Sequence, residues 1–321
     1  MENKDKTFSP AWLKDSSTGD ASDSDTFQSI IKYYYTENDV AKVDLEQFLK
    51  KQIQAQSDEN SLKKKNVDIV IIVAIPDEKD GAYSAFGLSK GMPRKTDLLD
   101  QFHFAYQQFE HNGLNIVLLI QPFMGMTHSS SLTTRAILGF HPKLVAMVGI
   151  CAGREEKTHL GDIIIASSVF DYTAGRQYVD RFGPRPKSYP IDNTIAEFVV
   201  DSVIDNHELL GKIMDGFQGA KPRNQITIQF KPLASGTAVI DDPKVMEEIV
   251  RSQDDLAGID MESYAVAVSS NILRTKWIII KTVQDFADGE KEKTEGGIRN
   301  FAAYSSAKLL ELILGDLSNY I

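Results

Sequence analysis

Residues 145–167 read VAMVGICAGREEKTHLGDIIIAS. An apolar run ends in a glycine-bounded Gly149-Ile150-Cys151-Ala152-Gly153 turn. The chain then crosses a charged stretch and enters a second apolar run at Ile163. Unbroken apolar runs of strand length, rich in β-branched residues and bounded by glycine, suit strands buried on both faces of a sheet. Leu144–Ile150 and Gly161–Val169 are therefore predicted strands. Working outward, Val67–Ile75, Asn115–Ile120 and Trp277–Val283 have the same character, and Gln225–Phe230 is a weaker strand. Between them, Leu132–Phe140 reads as a helix that stops before Pro142. Val245–Ser252 reads as a helix entered through Asp242-Pro243, and Tyr264–Leu273 and Phe301–Leu317 as two more. This alternation predicts an α/β fold, with a mostly parallel or mixed central sheet flanked by helices.

The chain has 321 residues, of which 42% are hydrophobic, enough for a sizeable core without staples. Its net charge of −10 argues against a nucleic-acid partner. The single cysteine, Cys151, excludes a disulfide framework and a cysteine-rich zinc site, and fits a reducing compartment. The histidines are scattered, and H-E-x-x-H, the P-loop, G-x-G-x-x-G and G-x-S-x-G are absent, so neither a metal nor a cofactor is expected. The longest apolar run, Ile69–Ile75, is too short to cross a bilayer, and the N-terminus lacks the apolar segment of a secretory signal. A cytoplasmic protein without membrane partners is the expectation.

Three regions are predicted. Residues 1–26, rich in Ser and Asp, read as a disordered tail with Trp12 as a potential docking anchor. Residues 27–66 read as a small helical appendage and linker. Phe27, Ile30, Ile31 and Tyr34 fall at helical spacing, and the polar run 57–66 closes the segment. Residues 67–321 form the main domain. A protein partner, if there is one, would dock on residues 1–66.

In open α/β sheets ligands bind beyond the carboxyl ends of the strands. Four predicted strand ends or helix starts carry polar groups there: Pro76-Asp77-Glu78, Gly149 to Gly153, Asp260-Met261-Glu262, and Asp285. An acidic residue in such a place is ordinarily a helix cap. Four together point to a site.

These residues carry a resemblance. VAMVGICAGREEKTHLGDIIIAS resembles the strand, glycine turn and Gly-Asp signature of the nucleoside phosphorylase/nucleosidase superfamily. GIDMESYAVAVSS (258–270) is similar to its ribose-binding motif, IIIKTVQDFADGEK (278–291) to its base-activating motif, and LASGTAVID (233–241) to a further segment. The match runs in order from Val67 to Leu317 and looks most like methylthioadenosine/adenosylhomocysteine nucleosidases. The resemblance implies a hydrolase that cleaves the N-glycosidic bond of a purine nucleoside or nucleotide, adenine before guanine. It implies Asp285 as the acid that protonates the base at N7, which needs a pKa raised toward neutrality. It implies Glu262 as the carboxylate holding the ribose 2′- and 3′-hydroxyls, Met261 packing on the sugar, and Glu78 activating water. Ala152, Gly153, Val239, Ile240 and Phe286 are the implied base-binding residues, with Phe286 also helping to desolvate Asp285. A homo-oligomer, dimer or hexamer, is implied as well.

The sequence departs from the family pattern at three points. Val239 stands where an aromatic is usual, Gln284 where a serine is usual, and Lys281 where an arginine is usual. Met147 and Ile150 stand where phosphorolytic members bind phosphate, and their side chains cannot bind an anion. The loop 170–190, FDYTAGRQYVDRFGPRPKSYP, carries several arginines. With Arg154, Arg176 is a candidate for binding a 5′-phosphate, the alternative being that the loop is solvated or makes a subunit contact. This loop resembles a nucleotide-depleting branch of bacterial antiphage effectors. Two alternatives stay open at this level: a phosphate-dependent phosphorylase, and a non-catalytic nucleotide sensor signalling through residues 1–66.

Overall fold

A computed structural model describes residues 67–99, 102–251, 253–288 and 298–321. The predicted tail, appendage and linker, and Ser252 at the end of one predicted helix, lie outside the described residues.

The first strand, β1 (Ile69–Val73), is buried along its whole length, as its unbroken β-branched run requires. It pairs in parallel with β4 (Leu114–Ile120), Ile71 opposite Leu118, and with β5 (Leu144–Gly153), Ile71 opposite Ala146. On the far side of β5 lies β12 (Lys276–Asp285), also parallel, with Val148 opposite Ile280. The next strand, β6 (Ile163–Asp171), runs antiparallel to β12 and parallel to β10 (Ile228–Ser235). The other edge is an antiparallel extension, β3 (Phe102–His111) on β4 and β2 (Lys95–Leu99) on β3. The sheet is thus mixed. The sequence reading missed β2 and β3 because their alternation of aromatic, polar and charged residues lacks a continuous apolar run.

The short strand β11 (Gly258–Asp260) positions the site. It pairs with β10 in parallel and with the end of β5 in antiparallel, Gly258 opposite Gly153. Pairings β5–β12, β12–β6, β6–β10, β10–β11 and β11–β5 therefore close a ring at one end of the sheet. Gly258 is needed for this approach, since a Cβ there would sit 2.7 Å from the Ala152 carbonyl oxygen.

Helices cover the sheet. Helix α1 (Pro76–Ala85) starts with proline in its first turn and with Asp77 and Glu78 against its positive end. The sequence predicts only a strand end here, because Pro76 follows directly on the apolar run. Helix α2 (Met126–Phe140) begins earlier than predicted, just after Gly125, and stops where His141 takes a left-handed conformation, φ 49°. Around the periphery follow the hairpin β7 (Gly175–Gln177) and β8 (Phe182–Pro184), strand β9 (Ser188–Pro190), α3 (Asn193–Phe198), α4 (His207–Gly216) and α5 (Pro243–Val250). Then come α6 (Ser263–Ile272) and the closing helix α7 (Ile298–Leu317). Gly81 lets α1 lie directly on α7, since a Cβ there would meet the Ala303 backbone at 2.5 Å. Among the described residues no helix is long and apolar enough to cross a membrane.

Candidate active site

One cleft opens beside the closed ring of strands. Glu78, Ile150, Ala152, Met261, Glu262 and Asp285 all line it, along with Val239 and Ile240. Each carboxylate arrives from a different element and is held differently.

Glu78, on the first turn of α1, is almost fully buried. Its Oε2 accepts the backbone N–H groups of Ala74 (2.6 Å) and Ile75 (3.2 Å), and its Oε1 accepts that of Ile150 (3.0 Å). The helix start is thereby tied to the ends of β1 and β5. Two carboxylate oxygens offer four lone-pair sites. Three are taken, and the remaining one is on Oε1.

Asp285 ends β12. The β5–β12 register slips between Val283 and Asp285, leaving Gln284 as an extra residue. Neighbours in a regular strand face opposite sides, whereas a bulge re-aims them. Here both Gln284 and Asp285 line the cleft. Gln284 Nε2 donates to Asp285 Oδ2 at 2.8 Å, and the Ala287 N–H donates to Oδ1 at 3.1 Å.

Glu262 precedes α6. Its Oε1 accepts the Gly125 N–H at 2.8 Å and faces Gln121 Nε2 at 3.5 Å. Gly125 has φ 105°, a region that favours glycine. Burial pushes Glu262 up to about 7. The carboxylates of Asp260 and Glu78 add to the rise, while Lys281 and the Gly125 N–H oppose it. Beneath Glu262 lies Lys281, without any exposed surface, its Nζ 3.0 Å from Asp260 Oδ2 and 4.0 Å from Glu262 Oε2.

Not every implied site residue reaches this cleft. Gly153 faces Thr158 and Val283 and pairs with Gly258 of β11. Phe286 and Arg154 border an adjoining groove with Met246 and Arg251. Arg154 is occupied there, donating to Glu156 Oε2 at 2.9 Å and to the Asp254 carbonyl at 2.6 Å. Arg176 stands on the exposed hairpin, its guanidinium over the Tyr178 ring. Adjacency in sequence to a glycine turn or to Asp285 does not set which way a side chain points. Val239 does line the cleft but is 55% exposed, at its rim.

Sequence reasoning also missed three contributors. Gln121 and Gly125 contact Glu262 from the far side of the chain, with no motif to mark them. Arg299, at the start of α7, lines the cleft and donates from Nε to Asp77 Oδ2 at 2.6 Å. Met147 is sealed in the core, and Ile150 offers the cleft an aliphatic side chain. Cys151 is buried, and that burial raises its thiol well above its ordinary range, which disfavours the thiolate. Among the described residues no group of His, Cys, Asp and Glu side chains could hold a metal ion.

The family pattern described as Phosphorylase superfamily matches residues 68–315. The chain belongs to the phosphorylase superfamily. An uncharacterized protein of Sinorhizobium fredii is 34% identical over 219 residues, 66% of this chain and 52% of that protein. ATP nucleosidase Cap17 of Escherichia coli is 26% identical over 251 residues, 73% of this chain and 49% of that protein. The chain thus spans about half the length of these curated relatives. The crystal structure of a Neisseria meningitidis 5′-methylthioadenosine/S-adenosylhomocysteine nucleosidase superposes with a TM-score of 0.59 at 19% identity, covering 78% of this chain and 99% of that one. This likeness bears out the superfamily fold expected from the sequence.

Proposed function

We propose that this phosphorylase-superfamily chain is a purine nucleosidase that hydrolyses the N-glycosidic bond of an adenine nucleoside or nucleotide. The observation that carries the reading is the convergence of Glu78, Glu262 and Asp285 on one cleft from α1, the start of α6 and the end of β12.

In this reading Asp285 delivers a proton to N7 of the base. The bond from C1′ to the base nitrogen breaks, its electron pair leaves with the base, and positive charge develops on the ribosyl ring. Glu262 accepts the 2′- and 3′-hydroxyls and places negative charge beside that ring. Water attacks C1′ and yields its proton to the one unfilled acceptor site of Glu78. The products are free base and the ribosyl hydrolysis product.

Two observations favour water over phosphate as the nucleophile. Met147 is sealed in the core and Ile150 is aliphatic, so neither side chain binds an anion. Arg299 lines the cleft and suits a substrate with a 5′-phosphate, and the likeness to an ATP nucleosidase supports a nucleotide. An activity of this kind would suit nucleotide depletion in bacterial antiphage defence.

The test is product chromatography after incubating the full chain with ATP, AMP, adenosine and methylthioadenosine, each with and without phosphate. Adenine released without phosphate is the expected result. Release only with phosphate, or none from any of the four, would overturn the proposal.

A further inference from the structure

Lys281 sits in the apolar run of β12 with no exposed surface. Burying an ammonium group costs several kcal/mol unless it is well paired, and the catalytic steps above make no use of it. Its Nζ lies 3.0 Å from Asp260 Oδ2 and 4.0 Å from Glu262 Oε2. Asp260 is itself fixed from several sides. Ser235 Oγ donates to its Oδ1 at 2.6 Å, the Glu262 N–H reaches Oδ1 at 3.3 Å, and the Ser263 hydroxyl and N–H reach Oδ2.

Resting on the reading of Glu262 as the ribose carboxylate, we propose that Lys281 is a positioning residue. It supplies the buried positive charge that keeps Glu262 ionised and able to accept both ribose hydroxyls, with Asp260 as the strut that fixes the ammonium group.

Several charged groups surround Glu262. Asp260 faces it from β11, Glu78 from α1, and Asp285 shares the cleft from β12. The Cys151 thiol on β5 lies within reach of this group, and the Tyr172 phenol after β6 lies near Asp260. His128 is on the first turn of α2, the helix whose entry residue Gly125 binds Glu262. Arg299 on α7 lines the cleft, but Asp77 holds it. Several carboxylates in one desolvated cleft cannot all stay ionised unless a cation stands among them. Burial alone would lower the pKa of Lys281, but Asp260, Glu78 and Glu262 outweigh it and leave the ammonium more firmly charged than an ordinary lysine. Were Glu262 protonated, it would lose an acceptor site. Its Oε1 already receives the Gly125 N–H and Gln121 Nε2, so one acceptor site would remain on Oε2, too few for two hydroxyls.

The experiment uses the full chain with Lys281→Met and Lys281→Arg, read two ways. The first is the pH profile of kcat/KM for adenine release. The second is the carboxyl 13C resonance of Glu262 in glutamate-labelled protein, assigned with Glu262→Gln. Lys281→Met is expected to move the acid limb of kcat/KM upward by about one pH unit or more. That corresponds to a loss of about tenfold at neutral pH, carried mainly by KM and recovered at alkaline pH. The Glu262 resonance should titrate at a correspondingly higher pH. Lys281→Arg should leave both in place. A folded Lys281→Met protein in which Glu262 titrates as in the wild type, or whose loss of activity does not change with pH, would overturn the proposal and leave Lys281 as the structural partner of Asp260. If Lys281→Met fails to fold, Lys281→Gln decides, since it keeps a hydrogen-bond donor for Asp260 and removes the charge: the Glu262 resonance should titrate higher than in wild type, and no change would overturn the proposal. The resonance needs no turnover. A wild-type chain that releases no base would sink the nucleosidase reading, while the titration would still decide the role of Lys281.

Discussion

The Glu78 carboxylate and the Ile150 backbone are joined by an N–H to Oε1 hydrogen bond of 3.0 Å that ties α1 to β5. The neighbouring residue on β5 is Gly149, where a Cβ would lie 2.0 Å from Glu78 Oε1. Gly149→Ala therefore cannot leave Glu78 in place. The carboxylate must leave its amide donors, and the Ile150 N–H loses its partner, at a cost of about 1–3 kcal/mol. The expected outcome is a folded protein with a lowered Tm and a fall in kcat of at least about 10²-fold, the scale of a lost general base. Unchanged kcat would show that Glu78 does not act on the water.

Asp285→Asn keeps a side-chain oxygen for Gln284 Nε2 but removes the acid. Turnover should fall by about 10²- to 10⁴-fold, while the Kd for ATP, measured by calorimetry, changes little. A matching loss of binding would make Asp285 a binding residue and not the proton donor. Comparing kcat with Kd separates the two, because an interaction made only in the transition state lowers kcat and leaves ground-state binding intact.

Much of the fold was legible because its strands are sealed on both faces. Ile69–Val73 and the β5 run leave no room for a polar side chain, and an uninterrupted apolar run is the direct record of that. The three carboxylates were legible for a different reason: each sits at the end of a strand or the start of a helix, Glu262 and Asp285 inside segments that resemble family motifs and Glu78 just after the first strand. What escaped was geometry that no local pattern encodes. The bulge at Gln284 turns two consecutive residues toward one cleft. Arg154 and Phe286 flank motif residues in sequence and point into the adjoining groove. Gln121 and Gly125 reach Glu262 only because β4 and α2 bring them there. Lys281 reads as an interruption of an apolar run, and only the ring closure through β11 shows which carboxylates surround it.

Glu262 gives a stability prediction with a definite sign. Its folded pKa, about 7, lies above the ordinary glutamate value of 4.5. Between those two values the folded state holds a proton that the unfolded state has released. Stability from this group therefore falls as pH rises from about 4.5 to about 7 and is level above that. Glu262→Gln keeps an acceptor for the Gly125 N–H and abolishes the titration. Its Tm relative to wild type should rise across that window and stay high at pH 8, while activity is lost for want of the ribose carboxylate. Thermal scans at pH 5, 6, 7 and 8 check this, and a constant difference in Tm would contradict it. The expected gain in stability with loss of function is the usual signature of a site whose chemistry demands an unfavourable burial.

Arg299 distinguishes a nucleotide from a nucleoside as substrate. Its ion pair with Asp77 is partly solvent-exposed, the side chains 29% and 44% accessible. A pair of that kind contributes less than about 1 kcal/mol, so Arg299→Ala should barely move Tm. Its cost should fall on the substrate. A guanidinium lining the cleft can hold a 5′-phosphate with two hydrogen bonds but has nothing to offer a methylthio group. Arg299→Ala is thus expected to raise KM for ATP and AMP by about tenfold or more, the scale of one lost charge-assisted hydrogen bond, while KM for adenosine and methylthioadenosine stays within about twofold. Asp77→Asn, which frees the guanidinium, should lower KM for the nucleotides alone. Equal effects of Arg299→Ala on all four substrates would remove Arg299 from phosphate recognition and leave it as the clasp between α1 and α7.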